Sequence, residues 1–195
     1  MTIEQAPDKQ QDAGMRDHFL LAMPSLTDGI FAHSITYLCE HNEDGAMGIV
    51  INQALDLSVE EVLEHLGLSA AGRLKHTPVM AGGPVHMDRG FVLHRNAGKQ
   101  WESTLEITAE VSLTTSRDVL EAIARDEGPA DCVIALGYAG WGAGQLEMEI
   151  AENSWLTLPA DSEIIFATPY HLRANKAAAQ LGVDLNLISA EAGHA

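Results

Sequence analysis

Apolar and polar positions along the chain follow two periods. Phe19, Leu20 and Leu21 in "HFLLAM" predict a first strand from His18, ended by Pro24. "PSLTDGIFAHS" then reads as a loop. In "SITYLCEH" the alternation places Ile35, Tyr37 and Cys39 on one face and Thr36, Leu38 and Glu40 on the other. "MGIVIN" is a second β-rich run, and Asp44-Gly45 between the two predicts a hairpin turn. "TPVMAGGPV" is a short strand broken at Gly82-Gly83-Pro84. Phe91–Arg95 and Ser103–Thr108, separated by the turn signal "NAGK", predict a second hairpin. "DCVIALG" and "SWLTLP" predict two further strands.

The longer period appears in three clear places. "LSVEEVLEHLG" has Val59, Val62, Leu63 and Leu66 on one face, with Ser58 and Glu61 spaced for a capping box and Gly67 at the end. "TTSRDVLEAIARDEG" turns Val119, Leu120 and Ile123 inward and closes at Gly128-Pro129. "PYHLRANKAAAQLG" starts at Pro169 and is followed by Gly182. "GQLEMEIAEN" predicts a short acidic helix. Helices and strands do not alternate regularly and the hairpins require antiparallel pairing, so the fold class is α+β. Residues 1–16 are polar and predict a disordered tail; residues 17–195 make one domain. A chain of this length buries about 70% of its extended surface without staples.

Charge narrows the function classes. Eleven Lys and Arg stand against 28 Asp and Glu, a net charge of −17. Non-specific DNA affinity comes from cations that neutralise phosphates. Here Arg89, Arg95, Lys99, Arg117, Arg125, Arg173 and Lys176 are scattered, so direct nucleic-acid binding is not expected. The same balance disfavours an anionic membrane surface and leaves a basic protein as a partner class. The first 16 residues lack the apolar core of a signal peptide, and no apolar run reaches the roughly 18–20 residues of a membrane span. The expectation is a cytoplasmic protein with reduced thiols.

Two stretches carry candidate chemistry. In "YLCEHNEDGAMGIVIN", Cys39 and His41 are two apart on a strand and are expected to share a face, flanked by Tyr37 and Glu43. An imidazolium beside a thiol lowers its pKa and makes it reactive; the neighbouring acids oppose this, and a buried cysteine is also ordinary core filling. "LGYAGWGAGQ" reads as a glycine loop between a strand and a helix. Gly137, Gly140, Gly142 and Gly144 would admit a ligand to the backbone, or would pack tightly around Trp141. The spacing matches neither nucleotide-binding glycine pattern, and Glu147 and Glu149 follow at once. Asn52 and Gln53 are read as groups that satisfy backbone where the hairpin ends. Cys39 and His41 supply at most two metal ligands, and Cys132, His86 and His94 are remote in sequence, so neither a metal nor a cofactor is expected.

Four blocks together resemble the YqgE/AlgH family of bacterial proteins: "FLLAMPSLTDGIFAHSITYLCEHNEDGAMGIVIN", "AGGPV", "RGFVLH" and "GYAGWGAGQLEMEIAENSWL". The resemblance runs from about Phe19 to Ser189. It implies a single α+β domain whose mostly antiparallel, bifurcated sheet folds into a pseudo-barrel, with about three to four helices packed on it. Members of that family have been named as regulators of gene expression, notably of alginate production. The family pattern puts an acidic pair and a Trp near the start of the last helix, where this chain has His171 and Leu172 and no Trp. The expected function is that of a non-enzymatic regulatory protein acting indirectly on gene expression through a protein partner or a small molecule. The alternatives are a Cys39 thiol sensor, and a small-molecule binder or enzyme using Gly137–Gly144.

Overall fold

The computed structural model describes residues 14–27 and 29–188. Most of the predicted disordered tail lies outside them; Gly14–Arg16 are described, and Arg16 donates to the Ile107 carbonyl at 2.9 Å. The strands are β1 (His18–Ala22), β2 (Ile35–Asn42), β3 (Gly45–Val50), β4 (Ala54–Ser58), β5 (Pro78–Ala81), β6 (Val85–Arg95), β7 (Thr104–Glu106), β8 (Val111–Thr114), β9 (Cys132–Gly142) and β10 (Trp155–Pro159). The helices are α1 (Val59–His65), α2 (Arg117–Ala124), α3 (Gln145–Ala151), α4 (Ser162–Phe166) and α5 (Arg173–Gln180).

The architecture is α+β: one curled, mostly antiparallel sheet forms a half-barrel, with the order β10-β1-β2-β3-β9-β6-β8-β7. It divides at β9. The first half of β9 pairs with β6 and runs parallel to β5, which carries β4 on its far side; the last four residues pair with β3. Gly137 stands at the division with φ of +74°. A Cβ there would lie 2.4 Å from the Gly83 carbonyl oxygen, and one on Gly83 would lie 1.9 Å from the Tyr138 carbonyl carbon. A Cβ on Gly82 would likewise lie 2.3 Å from the Gly137 carbonyl oxygen, so it takes glycine on both strands to let these backbones cross.

Strand alternation feeds three cores. Phe19, Leu21, Ile35, Tyr37 and Ile49 face inward against Ile164 and Ile165 of α4 and Ala177 and Ala178 of α5. Leu20, Leu38, Ala46 and Trp141 face the other side, under Leu146 of α3. Val92 and Ile134 pack with Val59 and Leu63 of α1 and Val119 and Ile123 of α2. The Ser58–Glu61 capping box forms as the spacing predicts. The predicted pairing of Phe91–Arg95 with Ser103–Thr108 does not occur. β8 lies between them, because Val111 and Leu113 of "VSLT" bury into the inner core before α2 begins.

Candidate functional site

The first predicted hairpin forms, with Asn42 opposite Gly45. Its register steps from Leu38↔Gly48 to Glu40↔Met47, leaving Cys39 as the extra residue of a β-bulge. A one-residue slip exchanges the faces of every later side chain. Cys39 therefore points into the inner core with Tyr37, while His41, opposite Ala46, points to the α3 side. The expected shared face of Cys39 and His41 is overturned.

Each residue of the predicted thiol cluster has its own surroundings. Cys39 is fully buried, burial pushes its thiol pKa well up, and Sγ lies 3.7 Å from the Tyr37 carbonyl. Tyr37 donates to Asp17 at 2.8 Å; burial and that acceptor hold the phenol protonated. His41 accepts at Nδ1 from the Met15 amide at 2.8 Å, which leaves its proton on Nε2, 2.5 Å from Glu147. Glu43 is exposed at the turn. Asn52 accepts from the Ile35 amide at 2.9 Å and Gln53 donates to the Ala32 carbonyl at 2.9 Å, which is the backbone role read from sequence.

The glycine stretch is also placed differently from its expectation. Gly137, Gly140, Trp141 and Gly142 belong to β9, and only Ala143 and Gly144 connect to α3. Gly45, Ala46, Met47 and Gly48 pair with Gly142 back to Ala139, so that backbone is engaged in the ladder rather than free to cradle a ligand. A carboxylate fastens this end: Glu149 accepts from the indoles of Trp141 at 2.9 Å and Trp155 at 2.8 Å, and from Gln145 at 3.0 Å. Glu149, one of the two acids that follow the glycines, serves here as a structural acceptor.

Hairpin and glycine strand nevertheless meet. Pairing sets Glu40 opposite Met47, Met47 opposite Gly140, and Tyr138 opposite Val85. Residues directly opposite share a face, and Tyr138 and Gly140 are two apart on β9, so the pairings present one face across four strands. Gly140 leaves the hollow in it: a Cβ there would come within 3.3 Å of the Tyr138 ring. The result is an open groove of about 530 Å³ with an apolar floor of Met47, Tyr138 and Val85 and an acidic rim of Glu40 and Asp44. Cys39 does not line it. Beside it Met87 is 52% exposed and the His86 ring stands 6.0 Å from that of Tyr138.

Near the last helix, His171 and Leu172 are exposed, and the next residue does the docking. Arg173 is buried and donates to the carbonyls of Ile51 and Thr168, tying α5 to the end of β3. Burial lowers its pKa to about 10. Among the described residues, no group of three or more His, Cys, Asp or Glu is arranged to hold a metal, and no helix is long and apolar enough to cross a membrane.

The sequence model of the family described as AlgH-like matches residues 19–186. A UPF0301 protein of Thioalkalivibrio sulfidiphilus is 59% identical over 179 residues, 92% of this chain and 96% of that protein. One of Saccharophagus degradans is 55% identical over 181 residues, 93% of this chain and 89% of that protein. Among solved structures, the solution structure of the AlgH protein from Pseudomonas aeruginosa superposes with a TM-score of 0.77 at 49% identity, covering 100% of both chains. A Corynebacterium diphtheriae protein shares the fold at a TM-score of 0.69 and 20% identity, covering 89% of this chain and 90% of that one.

Proposed function

We propose that this chain, which belongs to the AlgH-like family, is a non-enzymatic, cytoplasmic regulatory protein that acts on gene expression indirectly, by holding a protein partner in the groove between the hairpin and the glycine strand. The groove itself carries the reading. An apolar floor bordered by Glu40 and Asp44 complements an extended segment that presents apolar and basic side chains by turns. The net charge of −17 supports a basic partner and opposes DNA.

Affinity purification from cells tests it, with wild type beside a Glu40→Lys/Asp44→Lys variant whose melting curve matches wild type. The expected result is a specific partner retained by wild type and lost by the variant, with no shift of duplex DNA by the pure protein at low salt. Equal retention by both proteins, or a tight sequence-specific DNA shift, overturns the reading.

A further inference from the structure

The sheet leaves an edge open where it divides, beside the groove. At Ala135 and Leu136, β9 has a neighbour on each side, β5 and β6. β6 makes its last pairing at Tyr138, opposite Val85, where the chain arrives from Gly83 and Pro84. Along Ala139–Gly142, β9 pairs with β3 alone.

Alternation gives the directions of the hydrogen bonds. The Val50 amide donates to the Gly82 carbonyl at 2.8 Å, and the Ile51 amide donates to Ile35 at 3.0 Å on the other side. Val50, Gly48 and Ala46 therefore bond toward β9, where Ala139 and Trp141 stand opposite the last two. Gly140 and Gly142 turn their N–H and C=O groups the other way, to the open edge. The Gly142 amide is capped there by Gln145 Oε1 at 3.0 Å. Gly140 is exposed and has no partner on that side among the described residues. Unpaired N–H and C=O groups on a strand edge are a template for one more strand.

Side chains on such a strand would meet two different rows. The position opposite Gly140 looks along Met47 to Glu40, over the hollow beside the Tyr138 ring. The position opposite Gly142 looks along Gly45 to Asn42. Glycine on both strands leaves that row bare as far as the hairpin tip, where Asp44 lines the groove. The first row fits a large apolar side chain. The second fits a long cation lying over glycine toward a carboxylate.

We infer that the partner adds a strand to this edge, antiparallel to β9, with Leu, Ile or Phe opposite Gly140 and Lys or Arg opposite Gly142. Its order is then basic-x-apolar. This mode of binding rests on the partner reading of the groove and specifies it. Charge opposes a second copy of this chain as the occupant, since each copy would bring −17.

Amide NMR titration with the peptide acetyl-Thr-Val-Thr-Lys-Thr-Leu-Thr-amide tests it, beside two N-methylated forms. Methylation at Leu removes the N–H that reaches the Gly140 carbonyl; methylation at the Thr before it removes one that faces solvent. The parent peptide should bind saturably at one site per chain and shift the amides of Gly140 and Met47. The Leu-methylated form should bind at least about tenfold more weakly, and the Thr-methylated form should match the parent. Gly140→Pro, which removes an N–H that β3 does not use, should abolish binding. The methylated pair uses the wild-type protein, so the test does not depend on that variant folding. Asp44→Lys should weaken the parent peptide about fivefold. No saturable binding, or equal weakening by the two methyl groups, overturns strand addition. In the second case, a loss that persists in Asp44→Lys leaves the groove reading standing without it. A dimer in sedimentation equilibrium that Gly140→Pro dissolves would give the edge to a second copy and also overturns it.

Discussion

Two cysteine–histidine pairs stand in different parts of this sheet. In the hairpin, Cys39 and His41 are neighbours in sequence, but the bulge sends them to opposite faces. Cys132 and His94 are 38 positions apart (132 − 94) and stand directly opposite each other on β9 and β6. The histidines differ as well. His41 bridges a backbone amide and the half-exposed Glu147, at the margin of the sheet. His94 is 2% exposed, and both its ring nitrogens meet uncharged partners. Proximity along a strand is cheap and fragile, since one extra residue cancels it. Proximity across strands is fixed by the whole ladder.

The sharpest separation of the two pairs is in thiol chemistry. Burial raises both thiols, Cys132 to about 12 and Cys39 further still. Only Cys132 keeps partial exposure. Under native conditions at neutral pH, Cys39 should react with iodoacetamide at least about a thousandfold more slowly than in urea, because it reacts only after opening. Cys132 should be the faster of the two. Mass-spectrometric mapping of labelled peptides reads both rates; a Cys39 that reacts first would restore the thiol-sensor reading.

A smaller effect is expected on stability. His94→Ala removes a buried ring and its hydrogen bond with Thr114, leaving that hydroxyl with Thr104 as its side-chain partner, at a cost of about 2–3 kcal/mol. His41→Ala removes the link from Met15 to Glu147 at the sheet margin, at a cost of about 1 kcal/mol. Denaturant unfolding measures both, and equal losses would erase the distinction between the two histidines.

Much of this fold is legible in residues whose neighbours lie within a few positions. The Ser58 cap, the hairpin around Asp44 and the periodic faces of α1 and α2 all depend on local spacing. Three features are not, and each for a stated reason. The bulge at Cys39 comes from pairing with β3, and nothing in "YLCEHN" marks the extra residue. Gly137–Gly142 reads as a loop from its glycines, yet those glycines serve strand crossing against Gly83 and the hollow beside Tyr138. His94, Thr104, Ser112 and Thr114 are spread over 21 positions and become a polar row only once β8 lies between β6 and β7. The "VSLT" alternation of β8 was the available signal for that row, overshadowed by the helical pattern that follows it.

The least of the expected effects is a pH dependence carried by His94. Burial lowers the pKa of His94 below its ordinary value, so the unfolded chain binds a proton there more readily than the folded one. Stability from this group is complete above the unfolded value of about 6.5 and is lost as the pH falls below it, toward the depressed folded value. One group can contribute a slope of at most about 1.4 kcal/mol per pH unit in that window. Glu147, whose pKa is lowered by its own backbone amide and by His41, acts further down: its contribution is present above about 4.3 and fades below it. Unfolding free energies measured between pH 7 and 5 should therefore fall more steeply in wild type than in His94→Gln. Matching slopes in the two proteins would mean that His94 takes up its proton without leaving its place, and that its surroundings are wetter than its 2% exposure implies.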